Sequence, residues 1–214
     1  LFAIACAMFI IASGHFAITF YRTLCAVANI HAADGGPVAF LGDKTAWHLI
    51  TADVLYVTQC ILGDSIAIYR CWILWDRDLR VAALPLILLA GNMATGYATC
   101  QQLATSTAAR ISEPTVRAWI TSFYALAVLL NTTTTGLMAF RLWWVDRTLS
   151  DRVPHPRFQN TILLLVESAA LYFALQVVVL AAFVTRSNIQ FLLMGSIPPI
   201  IGITFTMITI RAGL

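Results

Sequence analysis

Runs of about twenty apolar residues, separated by short polar connectors, constrain this chain more than any other feature. A bilayer core about 30 Å thick is crossed by roughly 20 helical residues, so apolar runs of that length bounded by charges predict membrane-spanning helices. Six such runs cover approximately residues 1–22, 47–72, 81–101, 118–140, 161–184 and 189–210. We therefore predict an all-α fold, a transmembrane helical bundle that forms a single domain over residues 1–214.

The composition agrees with a membrane location and excludes other classes. Hydrophobic residues make up 60% of the 214 residues and charged residues 11%, against roughly 25% charged residues in soluble domains. The net charge of +3 is small and the charges are scattered, so no nucleic-acid-binding surface is indicated. The sequence starts at Leu1 with neither an initiator Met nor a cleavable signal pattern, and we expect a fragment or a processed chain.

The basic residues favour one orientation, because cytoplasmic loops carry an excess of Lys and Arg. Eight arginines lie at one set of span ends and five basic residues at the other. This difference predicts that loops 73–80 and 141–160 and the C-terminus are cytoplasmic, with the plasma membrane as the expected location. The first run then starts on the cytoplasmic side. An outside N-terminus therefore requires one further span, which would make these six spans part of a seven-helix bundle.

The second span carries acidic residues inside an otherwise apolar helix. Asp64 lies within about 40° of Asp53, Cys60 and Cys71 around the helix axis, whereas Arg70 points elsewhere. Because an ionisable group at this depth is costly, we expect Asp64 to face the bundle interior, where it is protonated, bound to water or paired with a neighbouring helix. Arg70 lies at the inner boundary, can extend to lipid phosphates or water, and is a candidate switch at the inner face.

Polar residues inside the spans allow two interpretations. The functional one is a cavity for a small ligand in the outer half above an inner polar network, or a path for an ion. The structural one is that Asn131, Gln176 and the run 132–135 hydrogen-bond across helices, and we favour it for those residues. For Asp64 and Glu167 both interpretations stay open. The candidate ligand or ion-pathway residues are His15, Asp53 and Gln176 in the outer half, Asn131 near the middle, and Asp64 and Glu167 in the inner half.

Two consecutive prolines interrupt the last span. Pro198 and Pro199 leave backbone carbonyls of the preceding turn without partners, which predicts a kink. This kink is either a static bend or a hinge for a conformational change. The hinge is the functional alternative.

No residue pattern indicates an enzyme, a metal site or a cofactor. Ser13 and His15 are two residues apart and do not share a helix face, and His15 is the one histidine that we place inside a span, so a zinc hydrolase lacks its ligands. The five cysteines include no CxxC motif. A disulfide between Cys25 and Cys100 is a hypothesis that rests on their common outer face and the oxidising compartment there.

Several segments resemble a large family of multi-pass membrane proteins from mushroom-forming basidiomycete fungi. These segments are YVTQCILGDSIAIYRCWILW with LPLILL after it, then NTTTTGLMAFRLWW, VESAALY and GITFTMITIRAGL. The resemblance covers nearly the whole chain, implies about seven helices, and implies no ligand or activity. By this resemblance the recurring positions are Asp64, Tyr69, Arg70, Cys71, Trp72, Glu167 and Tyr172.

The topology is also similar to that of seven-helix receptors. YRCW, residues 69–72, lies where such receptors often have an acidic-Arg-aromatic triplet, but no acidic residue precedes Arg70. The last span has IPPIIGITF in place of Asn-Pro-x-x-Tyr, which puts coupling to G proteins in doubt. A retinal protein is disfavoured because the only lysine, Lys44, is in an outer loop.

Two functions follow from these observations. A receptor-like sensor would bind a small-molecule ligand in the outer half and change conformation at its inner loops, with a cytoplasmic partner that the sequence does not indicate. A transporter or channel would instead use Asp53, Asp64 and Glu167 to pass protons or cations. A purely structural membrane protein remains a third reading. In each case the lipid bilayer is the expected partner.

Overall fold

The described part of the chain consists of helices. The structure, a computed structural model, describes residues 2–28, 47–105, 114–149, 170, 172–185, 198 and 200–202. The predicted all-α helical bundle is confirmed. Five helices are bounded within these residues: α1 (Phe2–Ala28), α2 (Trp47–Leu74), α3 (Leu79–Thr105), α4 (Pro114–Leu149) and α5 (Tyr172–Val184).

Four of these helices are long and apolar enough to cross a membrane. The crossing segments are Ala3–Ala28, Trp47–Leu74, Leu79–Thr105 and Arg117–Val145, and each contains or largely overlaps one of the first four predicted spans. The shorter apolar helix α5 is the described part of the fifth predicted span. Most of the sixth lies outside the described residues.

Helix α2 is the centre of the described bundle. It packs against α1, α3 and α4, and α4 packs in turn against α3. The α2–α3 pair is antiparallel, since the Thr58 hydroxyl lies 3.1 Å from the Tyr97 hydroxyl and Asp64 lies opposite Asn92. A position on α2 therefore meets side chains from several helices at once.

The outer surface of the bundle is apolar, as expected for a lipid-facing surface. On α1, Phe9 and Ile10 are 70% and 69% exposed, and Phe16 and Phe20 are also exposed. A soluble monomer rarely exposes a continuous apolar patch of this kind, whereas in a bilayer such side chains contact acyl chains. Together with the four long apolar helices, this surface identifies a membrane protein.

A tight helix crossing lies at Gly96 on α3. A Cβ atom at this position would lie 2.8 Å from Val57 Cγ1 on α2 and 2.9 Å from Phe123 Cε2 on α4. Real Cβ atoms essentially never approach that closely. The absence of a side chain at Gly96 thus lets three helices meet.

The turn between α2 and α3 is closed by backbone hydrogen bonds. The Arg77 N–H donates to the Trp72 carbonyl at 2.9 Å, which is the long bond of a Schellman motif. Asp76 and Arg77 accordingly have left-handed φ angles of 53° and 63°. The Asp78 carboxylate then caps α3 by accepting the Arg80 N–H at 2.9 Å.

The hypothesis of a disulfide between Cys25 and Cys100 is wrong. Both cysteines are free thiols. Cys100 is buried at 6% exposure and so belongs to the packing between helices.

Candidate functional site

Asp64 lies in the bundle interior, as the helix-face argument predicted. It is 3% exposed, and its Oδ2 accepts a hydrogen bond from Asn92 Nδ2 on α3 at 3.5 Å. Cys60 and Cys71, predicted on the same face, are also buried. A neighbouring helix therefore supplies a hydrogen-bond partner for the buried carboxyl group, which is one of the three arrangements that we expected for it.

A second set of hydrogen bonds joins α4 to α5. Asn131 Nδ2 donates to Gln176 Oε1 at 3.4 Å, and Gln176 Nε2 donates to the Tyr172 hydroxyl at 2.8 Å. The Thr135 hydroxyl donates to Asn131 Oδ1 at 3.2 Å. Asn131 and Gln176 thus hydrogen-bond across helices, as predicted.

The same interpretation is wrong for the threonine run. The hydroxyls of Thr132, Thr133 and Thr134 donate to carbonyls four residues earlier in their own helix. Helical geometry explains the difference, because a threonine hydroxyl reaches the carbonyl of the preceding turn without any partner helix. Only Thr135 bonds a side chain, and that side chain is on the same helix.

Cys60 lies between the two sets of bonds. Its thiol is beside the hydroxyls of Tyr56 and Tyr172, and Asp64, one turn further along α2, is within electrostatic range of both Cys60 and Tyr172. Helices α2, α3, α4 and α5 therefore contribute to one region. We call it the buried polar network and define it as Cys60, Asp64, Asn92, Asn131, Tyr172 and Gln176.

Another side of α2 carries a buried amide without partners. Gln59 is fully buried, and neither its Nε2 nor its Oε1 has a hydrogen-bond partner within the described ranges. A Cβ atom built on Gly202 would lie 3.5 Å from Gln59 Nε2 and 3.7 Å from Ala12 Cβ. The amide thus lies where α1, α2 and the segment 200–202 meet.

His15 is one turn further along α1 from Ala12. It is 4% exposed, and its Nδ1 has no hydrogen-bond partner among the residues that the structure describes. Asp53 is partly exposed and lies within electrostatic range of Arg22. Among the residues that the structure describes, no hydrogen bond or ion pair joins His15, Asp53 and Gln176 to one another. The structure therefore does not bring these three predicted ligand residues together by direct bonds.

The structure describes two of the remaining predicted residues, Arg70 and Pro198. Arg70 is half-buried and has an interaction within the structure. Pro198 is fully buried, which is compatible with either a bend or a hinge. Glu167 and Pro199 lie outside the described residues, so their roles stay predictions.

Histidines and metal ligands give no further site in the described ranges. His48, placed by sequence at a span end, is buried at 7% exposure, so His15 is not the only buried histidine. A side chain in the first turn of a helix can be buried while its neighbour is exposed, as Trp47 is at 66%, so a position at a span end does not decide burial. Within the described residues, no group of three His, Cys, Asp or Glu side chains could hold a metal ion.

Sequence reasoning did not single out Gln59, Tyr56 or Tyr124. Gln59 has a signal, since it is an amide five residues before Asp64 inside a long apolar helix. Tyr56 and Tyr124 have none, because aromatic residues are common on every face of a membrane helix. Their proximity to Cys60 depends on how helices pack.

Comparison with protein-family models, with curated proteins and with solved structures finds no match to this chain. Any function must therefore be argued from the arrangement of the residues themselves.

Proposed function

We propose that this chain is the core of a receptor-like membrane sensor. The observation that carries the proposal is Gln59, a fully buried amide on the central helix with no hydrogen-bond partner in the described part of the chain. A buried polar group without a partner costs about 1–3 kcal/mol. A ligand or a rearrangement that supplies a partner is therefore favoured by a similar amount.

The position of Gln59 connects such an event to the rest of the bundle. Gln59 and Cys60 are consecutive residues, so a shift of α2 toward a ligand at Gln59 also moves the buried polar network. The network in turn includes side chains of α3, α4 and α5. Gln59 and the buried polar network are thus coupled through α2, which packs on three other helices.

The readout face in this proposal is the end of α2 that carries Arg70 and the α2–α3 turn. The charge asymmetry favours the cytoplasm for this face, the plasma membrane as the location and a cytoplasmic C-terminus. The resemblance to the fungal seven-helix family supports the same architecture. Pro198, close in sequence to Gly202 beside Gln59, is the proposed hinge.

A thermal-shift screen tests the proposal. The purified full chain in detergent is heated with small polar molecules, and a ligand at Gln59 is expected to raise the melting temperature by binding the folded state. Gln59→Leu should abolish the shift and should itself raise the melting temperature, because an unpartnered amide is removed. Gln102→Leu, at an exposed position of α3, is the control and should keep the ligand response. Equal shifts in both variants would contradict the proposal.

A transporter of protons is the second candidate, and a specific arrangement favours it. Asp53 and Asp64 lie on α2 about 16 Å apart along the axis. Tyr124 lies within electrostatic range of Asp53 and beside Tyr56, which is beside Cys60 in turn. Groups with exchangeable protons thus extend from one carboxyl to the other.

Proton flux separates the two candidates. The chain is reconstituted in liposomes that contain a pH-sensitive dye, and an imposed pH gradient is followed with and without a potassium diffusion potential. A transporter would dissipate the gradient, and Asp64→Asn would abolish that flux. The sensor proposal expects no flux above that of empty liposomes for either protein.

A further inference from the structure

One end of the bundle has a continuous aromatic surface. The Trp75 ring stacks on Phe140 with centroids 6.3 Å apart, and Phe140 packs against Trp143 and Trp144, each at 6.1 Å. Phe140, Trp143 and Trp144 are half exposed, at 50–55%. We call these four residues the aromatic platform.

Two arginines flank the aromatic platform. The Arg141 guanidinium lies 5.3 Å from the Trp75 ring centroid, and the Arg147 guanidinium lies 4.5 Å from the Trp143 ring centroid. Arginine stacked on an aromatic ring keeps its in-plane N–H groups available for an anion. Both guanidinium groups are therefore oriented in advance.

The Arg141 side chain is also fixed by the end of α2. Its Nε donates to the Leu74 carbonyl at 3.3 Å, and the Trp75 Nε1 donates to the Leu137 carbonyl on α4 at 3.2 Å. These two bonds join α2 to α4 across the platform. The first uses one N–H of the guanidinium, and within the described ranges the two terminal amino groups have no hydrogen-bond acceptor.

The platform lies where a bilayer changes from acyl chains to headgroups. The membrane-crossing segment of α4 ends at Val145, next to Trp144, and Arg147 is exposed two residues beyond it. Four of the six tryptophans lie at this end: Trp72, Trp75, Trp143 and Trp144. Tryptophan is enriched at this depth of the membrane.

The charge of this end favours an anion. Residues 70–80 and 141–147 contain five arginines against three aspartates. Among the side chains that the structure describes, the Arg147 guanidinium lies over the Trp143 ring and forms no ion pair with a carboxylate. A lipid phosphate would therefore bind there without displacing an existing carboxylate.

We infer that the aromatic platform and its two arginines bind an anionic phospholipid from the leaflet at this face. The acyl chain lies against the half-exposed rings of Phe140 and Trp144, and the anionic headgroup accepts hydrogen bonds from Arg147 and Arg141. An uncharged surface of rings would attract any lipid. The two oriented guanidinium groups select the anionic ones.

Native mass spectrometry of the full chain tests this inference. The protein is released from micelles that contain dioleoyl phosphatidylglycerol or dioleoyl phosphatidylcholine in equal amounts, and retained lipids are counted. Phosphatidylglycerol is expected to be retained in preference, and Arg147→Gln is expected to reduce its affinity about tenfold, which corresponds to one charge-assisted hydrogen bond. Trp143→Phe should retain most of the binding, whereas Trp143→Ala should lose it.

Arg117→Gln is the matched control, because Arg117 stacks at 5.8 Å on the Phe183 ring at the other end of the same helix. It should leave the retention of phosphatidylglycerol unchanged. Equal retention of the two lipids, or equal losses in Arg117→Gln and Arg147→Gln, would overturn the inference. Binding of an acidic peptide such as oligo-glutamate at this end, together with equal binding of the two lipids, would also overturn it. The occupant would then be a protein partner.

Discussion

The hydrogen bond between Asn131 and Gln176 links α4 to α5 through two buried side chains. We expect Asn131→Leu and Gln176→Leu each to lower the free energy of unfolding, because each leaves the other amide buried without its partner. The double variant should cost less than the two single variants together, with a coupling energy of about 0.6–1.7 kcal/mol. Unfolding by SDS in mixed micelles, followed by tryptophan fluorescence, measures all four proteins.

Thr132→Ala is the control for that cycle. Thr132 is exposed and its hydroxyl bonds within its own helix, so its loss should change stability by less than about 0.5 kcal/mol. Strict additivity of the two leucine substitutions would mean that the 3.4 Å contact contributes nothing.

Gly96 is a residue whose role is entirely steric. Gly96→Ala places a methyl group against Val57 and Phe123 at less than 3.0 Å, and the branched valine side chain has little freedom to move within a helix. We expect the free energy of unfolding to fall by about 1–3 kcal/mol. The measurement is the melting temperature, followed with a fluorogenic thiol reagent that reacts when Cys60 and Cys71 become exposed on unfolding.

Two further variants make the Gly96 prediction specific. Gly136→Ala has nothing within 4 Å of the new methyl group and should instead gain up to about 1 kcal/mol, since alanine is the better helix former. Adding Val57→Ala to Gly96→Ala should recover part of the loss. If both alanine variants at glycine positions behaved alike, the close packing at Gly96 would not be real.

Single residues in this chain could be predicted where helix periodicity alone decides their environment. The burial of Asp64 followed from its position around α2, and the cross-helix hydrogen bonding of Asn131 and Gln176 followed from the general need of buried amides for partners. That each is the partner of the other was not predicted. The unpartnered Gln59 and the tight crossing at Gly96 could not be predicted in this way. Both depend on the distance between helices, which no spacing within one helix determines.

At the scale of elements, the turn between α2 and α3 combines a strained start with a good cap. Asp76 adopts a φ of 53°, which is unfavourable for a residue with a Cβ. Asp76→Gly should therefore raise the stability by about 0.5–1 kcal/mol. Asp78→Ala should lower it by about 0.5–2 kcal/mol, because the α3 cap is lost. Thermal unfolding of both variants checks that their stabilities change in opposite directions. Lower stability in both would indicate that the Asp76 side chain makes a contribution that offsets its strain.

The helix boundaries were predicted best for α2 and α3. The span predicted at 47–72 became Trp47–Leu74, and the one at 81–101 became Leu79–Thr105. Helix α4 extends from Pro114 to Leu149, beyond the predicted 118–140. The predicted span was bounded by charged residues, whereas the helix continues through Arg117 at one end and through Arg141, Asp146 and Arg147 at the other. A charge can end a membrane-crossing segment without ending the helix, so the extension lay beyond that signal.

At the scale of the whole molecule, the central position of α2 relates the two regions of the bundle. Its first half carries Gln59, its middle Asp64, and its last residue Leu74 accepts the hydrogen bond from Arg141 beside the aromatic platform. A movement of α2 would therefore affect the ligand side, the network and the lipid face together. The sensor proposal depends on Gln59, whereas the lipid inference depends on the aromatic platform and its two arginines. Either can therefore be wrong without the other.

The membrane crossing of α3 is the step on which the whole arrangement depends. Its two ends, near Asp76 and at Thr105, are expected on opposite sides of the bilayer, with Thr105 outside. In a chain whose five native cysteines are replaced, a membrane-impermeant maleimide should label Thr105→Cys in intact cells and Asp76→Cys only after permeabilisation. Phe9→Cys, exposed on the lipid-facing side of α1, should resist the reagent in both conditions because it lies in the acyl region.

The labelling pattern separates two kinds of failure. Labelling of both α3 ends from the same side would mean that Leu79–Thr105 does not cross the bilayer, which would contradict the membrane-spanning bundle itself. A complete reversal of the two sides would keep the bundle and invert its orientation. In that case Arg70, the α2–α3 turn and the aromatic platform would face outward, and the anionic lipid would have to come from the outer leaflet. Because that leaflet is poor in anionic lipids, the orientation decides where the proposed lipid site can be occupied in a cell.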